Sequence, residues 1–213
     1  MEKGIIIQIQ EMATDESVNV ETLLRKAYVV AHKLHLNDFE EWIQWEQNGY
    51  PNSEKIPNYR VVKGRIISFN PYYGWQPIVF PANIDETINS MNLAFPISSI
   101  SDAYLNNRGS IRFTVGDEII TFLNDHTSGP PTNYCLEISP TELKRVISTV
   151  CNKILEWTLI LEDKGIIGRG LSFSDKEKEI AQQSTIINYT NNFFSTVTSS
   201  QIQQGSSGEQ NNE

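Results

Sequence analysis

Arg25 and His32 lie seven residues apart, which on an α-helix is about 700°, roughly 20° short of two turns, so both side chains leave the same face. An arginine and a histidine so placed can clamp a phosphate and move a proton. The plainer reading makes both polar flank positions of an amphipathic helix, and it is preferred because this spacing arises easily by chance. The carboxylates Glu40, Glu41 and Glu46 follow closely, yet no partner at a catalytic spacing accompanies them. The aromatic cluster Trp42, Trp45, Tyr50, Tyr59, Tyr72, Tyr73 and Trp75 can form a recognition surface, but large aromatics more often fill a core or lock a loop onto helices.

Other chemistries lack their parts. The three histidines, His32, His35 and His126, come with no GxSxG elbow, and His126 is expected in an exposed loop. P-loop, GxGxxG and HExxH patterns are absent. Gly165 to Gly170 is glycine-rich but follows a helix end and lacks the Lys-Ser/Thr that grips phosphate, so it reads as a turn. Cys135 and Cys151, with no CxxC and no histidine at ligand spacing, read as two buried thiols of a reducing compartment. No cofactor and no metal site is expected.

The elements that position these residues are legible from periodicity. Apolar residues at three- and four-residue spacings predict a helix over Ser17 to Leu36 and a second from Asp38 to Gly49, capped by Asp38 and Glu41, the two forming an antiparallel hairpin. Val61 to Phe69 reads as a strand, and Ile111 to Leu123 as a β-hairpin turning at Gly116-Asp117. Short helices are expected over Ile84 to Leu93 and Ser99 to Leu105. The longest helix starts at Ser139-Pro140, with Glu142 as reciprocal cap, and ends at Lys164-Gly165; a final one follows the Ser174-Glu177 capping box. The fold class is therefore α+β: an N-terminal helical hairpin, a small central antiparallel β-sheet, a long C-terminal helix and a polar tail. Residues 1–183 form the domain, and 184–213, rich in Ser, Asn and Gln and without Lys or Arg, form a tail. Its composition favours flexibility, with strand-mediated assembly through Ile186 to Val197 as the competing reading, which makes the chain a candidate homo-oligomer.

With 213 residues and a net charge of −9, the chain is large enough for a core without staples. Its acidic balance argues against broad binding to nucleic acid or anionic membranes, although a small local basic patch remains compatible with it. No signal peptide and no apolar run of membrane-spanning length is visible, so the expected location is cytoplasmic.

Two family resemblances bear on function. The Arg25 and His32 spacing resembles the Arg-x4–6-His signature of HEPN ribonucleases, which implies an RNase toxin with a composite site across a dimer. A longer resemblance starts from Leu23 to Ala27, Ala31 to Leu34 and Phe39 to Trp42, then Glu46 to Tyr50 and Pro57 to Arg60, and continues through Val146 to Ile166. Over residues 5 to 183 the chain resembles the AbiTii domain of bacterial abortive-infection systems. That resemblance implies a non-enzymatic sensor or interaction module of anti-phage defence, acting through protein partners such as a separately encoded effector or a phage component. Its motif residues here are Trp42, Glu46, Gly49, Tyr50, Pro57, Tyr59 and Arg60. Physical chemistry gives them structural roles: Gly49 ends the helix, Trp42 and Tyr50 pin the loop, and Arg60 bonds carbonyls or Glu46.

Overall fold

The computed structural model describes residues 3–78, 88–107, 109–126 and 130–183. Within them the chain is α+β, with helices and a small antiparallel sheet sharing one hydrophobic core. Three helices open the chain. α1 (Ile5–Thr14) buries Ile5, Ile6 and Ile9. The apolar run that is too short for a signal sequence is thus long enough to seat a helix, which packs along the long helix near the C-terminus, Pro140–Asp163.

α2 (Val20–Lys33) begins where the Asn19 side chain accepts from the Glu21 amide at 2.7 Å. It turns directly into α3 (Asn37–Asn48). His35 adopts φ +54, and the Leu36 and His35 amides return to the Ala31 and His32 carbonyls at 3.0 and 3.2 Å. This is a Schellman motif with His in the position that Gly usually takes. The Leu36 carbonyl then accepts from Phe39 and Glu40. The expected Asp38 cap is displaced for this reason: Leu36 takes the N-cap position, two residues earlier, and Asp38 falls in the first turn of α3.

Among the described residues the sheet has five strands, every pairing antiparallel. β1 (Val61–Asn70) is central; β2 (Gly74–Pro77) returns beside its end, and β3 (Ser90–Asn92) beside its start. Of the stretch expected to be a short helix over Ile84 to Leu93, residues 84–87 lie outside the described ones, and Ser90–Asn92 are strand. α4 (Ile97–Asn106) matches the helix expected there.

The hairpin expected over Ile111 to Leu123 is half right. β4 (Ile111–Thr114) is a strand, but Asp117–His126 form α5. The Gly116 carbonyl accepts from Ile119 and Ile120, both at 3.0 Å, starting a helix that buries Leu123. β4 pairs instead with β5 (Tyr134–Ile138), whose Tyr134, Leu136 and Ile138 face the core at the two-residue period of a strand. The strand order is therefore β2-β1-β5-β4, with β3 also on β1.

α6 (Pro140–Asp163) runs through the core, burying Leu143, Val146, Val150, Ile154, Trp157 and Leu161. Its start is capped by Ser139, while Glu142, expected to reach back, accepts from the Lys63 amide and Arg145. Its end is a Schellman turn at Gly165, φ +78, with Ile166 N–H on the Leu161 carbonyl at 2.8 Å. Residues 165–170 form the expected turn, with glycines at positive φ. α7 (Asp175–Ala181) carries the Ser174–Glu177 capping box. The tail from residue 184 lies outside the described residues.

Candidate functional site

The spacing of α3 places Trp42 and Glu46 on its buried side, one turn apart. Helix α3 then ends at Gly49, whose φ of +95 and ψ of 158 suit a residue without Cβ. A Cβ there would sit 2.9 Å from the Ala94 carbonyl oxygen. That close approach lets the Tyr50 amide donate to the same carbonyl at 2.8 Å, drawing the loop onto the segment after β3. Buried Pro57 starts the short 3-10 turn Asn58–Arg60, and its carbonyl accepts from the Arg60 amide at 2.9 Å. Arg60 is thereby set at the mouth of β1, facing Glu46.

Arg60 and Glu46 are completely buried. The guanidinium holds the carboxylate by two bonds, Nη2 to Oε2 at 2.5 Å and Nε to Oε1 at 3.1 Å. Its Nη1 donates to the Leu93 and Phe95 carbonyls at 3.0 and 2.6 Å. Glu46 Oε1 also accepts from the Tyr50 and Tyr59 hydroxyls, both at 2.6 Å, and Tyr59 in turn accepts from Trp42 Nε1 at 2.9 Å. The Arg60 guanidinium lies 4.9 Å from the Tyr50 ring centre. Sequence reasoning offered Arg60 either the carbonyls or Glu46; the structure gives it both at once.

The electrostatics follow from this geometry. Burial pushes the Tyr50 and Tyr59 phenols well above the ordinary tyrosine value, and the neighbouring Glu46 carboxylate adds to the effect. Burial works against the Arg60 charge, yet Glu46 outweighs it, so Arg60 is held above its usual value. Lys153 on α6 sits 5.5 Å from the Tyr59 ring centre, and burial pulls its ammonium down. Arg145 of α6 donates to the Tyr59 and Val61 carbonyls at 3.0 and 2.7 Å. The constellation therefore ties α3, the 3-10 turn, β1, the segment after β3 and α6 into one knot. With no exposed surface on either charged partner, it offers a substrate no point of attachment.

A match to the AbiTii family model extends over residues 4–186. The chain belongs to the AbiTii family. No curated protein and no solved structure gives a significant match. Membership of AbiTii connects the chain with abortive-infection defence. Within this AbiTii domain, Trp42, Glu46, Gly49, Tyr50, Pro57, Tyr59 and Arg60 all meet at the knot.

Arg25 and His32 lie elsewhere, on the exposed side of α2, with side chains 69% and 70% exposed. Arg25 donates to Glu21 at 2.9 Å, His32 Nδ1 lies 3.3 Å from Glu40, and Tyr28 stacks on the imidazole. Two helical turns, about 10 Å of rise, separate them. The aromatic cluster divides: Trp42 and Tyr50 are buried, whereas Tyr72 and Tyr73 are exposed at the turn after β1. His126 is in the last turn of α5, within 2.8 Å of the Phe122 carbonyl, not in a loop. Cys135 and Cys151 are free thiols and half-buried, not fully buried. Among the described residues no cluster of His, Cys, Asp and Glu could hold a metal, and no helix is long and apolar enough to cross a membrane.

One feature that sequence reasoning missed is a groove of about 640 Å³ between the α1–α2 connection, α4 and α6, where Asp15, Tyr104, Lys144, Ser148 and Cys151 line the wall. Only the fold brings these distant positions together, so no local motif marks them.

Proposed function

We propose that this AbiTii domain is a non-enzymatic sensor or adaptor of an abortive-infection system, acting in the cytoplasm through a protein partner, either a separately encoded effector or a phage component. The observation carrying this reading is the consumption of the strongest polar constellation: Glu46 and Arg60 are fully buried and bonded to Tyr50, Tyr59 and two carbonyls. Such a knot holds a scaffold in shape and leaves recognition to the open surfaces. The test is plaque formation on cells carrying the native locus with wild-type protein or Arg25→Ala/His32→Ala. Protection at wild-type level is expected. Lost protection with equal accumulation and unchanged melting would overturn the reading.

The second reading, a HEPN-like RNase toxin, draws on the shared exposed face of Arg25 and His32, with Val29 between them and Tyr28 stacked on His32. In that case a second copy completes the site. RNA fragmentation in infected cells that depends on both side chains would establish it.

A further inference from the structure

The sheet has a second face. Residues of β1 alternate, so Val62 and Ile66 point into the core while Lys63, Arg65, Ile67 and Phe69 point the other way. The register extends this outer face across the strands: Phe69 lies opposite Trp75, Ile67 opposite Cys135, Arg65 opposite Glu137, and Glu137 opposite Arg112 of β4. Among the described residues, Ile67 is buried on this face yet stands apart from the main core cluster.

We propose that this outer face binds single-stranded RNA. Three observations carry the inference. First, charge: Lys63, Arg65 and Arg112 lie on this face with one carboxylate, Glu137, while Glu142 borders Lys63 from the start of α6, on a chain whose net charge is −9. Glu142 is itself paired with Arg145 at 2.9 Å, and Asp117 and Glu118 belong to the first turn of α5, beyond the strand end. Glu137 is mostly covered and anchors Arg65 at 2.6 Å and Arg112 at 3.6 Å, so it fixes both guanidiniums while they remain largely exposed. Held guanidiniums are suited to phosphate because they give up little freedom on binding it.

Second, aromatic planes alternate with these cations. Phe69 is 41% exposed and lies 5.4 Å from Trp75 in an edge-to-face pair, and Arg112 lies 5.7 Å from the Trp75 ring centre. At the end of the same hairpin Tyr72 and Tyr73 are 90% and 79% exposed. Their turn is already fixed, because Asn70 Oδ1 accepts from both amides at 2.9 and 3.1 Å, and Gln76 donates to the Tyr73 carbonyl at 2.9 Å. Exposed rings beside cations on a sheet stack unpaired bases while the cations follow the backbone. From Lys63 to Phe69 the strand is roughly 20 Å long, in keeping with a short single-stranded site of about four nucleotides.

Third, the remaining polar groups favour RNA over DNA and over an acidic peptide. The Thr114 side chain is exposed on this face, so its hydroxyl can pair with a 2′-hydroxyl that DNA lacks. An apolar pocket that would anchor a protein side chain is missing among the described residues of this face, since Ile67 is already buried by its neighbours.

The test is fluorescence anisotropy with the full chain and labelled 12-mers of mixed sequence: single-stranded RNA, single-stranded DNA and duplex RNA, with poly-glutamate as competitor. Single-stranded RNA is expected to bind best. Tyr72→Ala/Tyr73→Ala, at positions too exposed to disturb folding, should weaken it at least about fivefold. Lys63→Gln and Arg65→Gln should each make the slope of log affinity against log salt shallower by about 0.7, the share of one phosphate that the variant no longer neutralises. Absence of binding at about 50 mM salt, equal affinity for duplex or DNA, displacement by poly-glutamate as effective as by RNA, or affinity unmoved by the tyrosine pair would each overturn the proposal.

Discussion

Arg60 and Arg65 are five residues apart in the chain and occupy opposite environments. Around Arg60 stand a carboxylate, two tyrosines and a tryptophan, all drawn into a buried knot. Beside Arg65 and Arg112 stand a carboxylate and a tryptophan again, with two tyrosines further along at the hairpin turn, but here the cations and phenols face water. The side-chain types are the same; the difference is which face of the fold they leave from. Arg60 precedes β1 and is covered by α3, α6 and the segment after β3, whereas Arg65 leaves the strand on the face opposite the main core cluster and is largely exposed. An arginine–carboxylate–tyrosine group therefore indicates a structural knot or a binding face only once its covering is known.

The comparison is broken most directly by the carboxylates. Glu46→Ala leaves Arg60 charged and buried without its partner, which costs about 3–5 kcal/mol. Arg65→Ala removes an exposed cation from a carboxylate that keeps Ser110 and Arg112, and should cost no more than about 1 kcal/mol. Thermal denaturation of the two purified variants checks this, and equal melting would erase the distinction between the regions.

Next in size is Gly49→Ala. Its φ of +95 and the 2.9 Å approach to the Ala94 carbonyl predict a loss of about 1–3 kcal/mol. Gly74, also at positive φ but with open space around its Cβ position, lies beside the exposed turn. Its alanine variant should lose less in the same urea titration, since only the backbone conformation resists it.

Single hydroxyls sharpen the contrast further. Tyr59→Phe removes a donor to Glu46 and the acceptor of Trp42, and should cost about 1–3 kcal/mol, whereas Tyr73→Phe should leave the chemical denaturation curve in place. A parallel signature exists in alkali. Tyr50 and Tyr59 have raised values in the folded state, so the unfolded chain loses these protons first. Their contribution to stability is complete below about pH 10, the ordinary tyrosine value, and is lost as pH rises above it. Tyrosinate absorbance should show these two phenols ionising only with unfolding.

The smallest effect is at the acid end. Hydrogen bonds from Ser110 and Arg65 hold the Glu137 carboxyl below its usual value. Glu177 is also held low: burial opposes the charge, but the Ser174, Gly168 and Ile167 bonds prevail. Their stabilisation is present above the ordinary carboxylate value and declines as pH falls through the depressed folded values. A Tm against pH series on wild type and Glu137→Gln should show a shallower acid decline in the variant.

Much of this fold is legible in the sequence where the signal is local. The caps of α6 and α7, the Gly165 stop, β1 and the α2–α3 hairpin follow from residue types within a few positions. The Asp38 cap fails because His35 takes a left-handed conformation that local rules assign to glycine. The second hairpin strand fails because Ile119, Ile120 and Leu123 satisfy a strand or a helix pattern equally over so short a run. β5 escapes notice although Tyr134, Leu136 and Ile138 alternate. Of the sites, the knot's members are legible as a motif, but its covering, the outer sheet face and the groove depend on pairings between distant segments. Only strand register reveals that Arg65, Glu137 and Arg112 lie side by side.

The central claim is that the buried knot shapes the domain and the exposed surfaces carry its action. The most direct measurement pairs plaque protection with melting temperature for Glu46→Gln, scaled to the folded protein present in the cell. A lowered melting temperature is expected, with protection that falls only in step with folded protein. Protection abolished while melting and accumulation match the wild type would contradict it and place the chemistry at Glu46 itself.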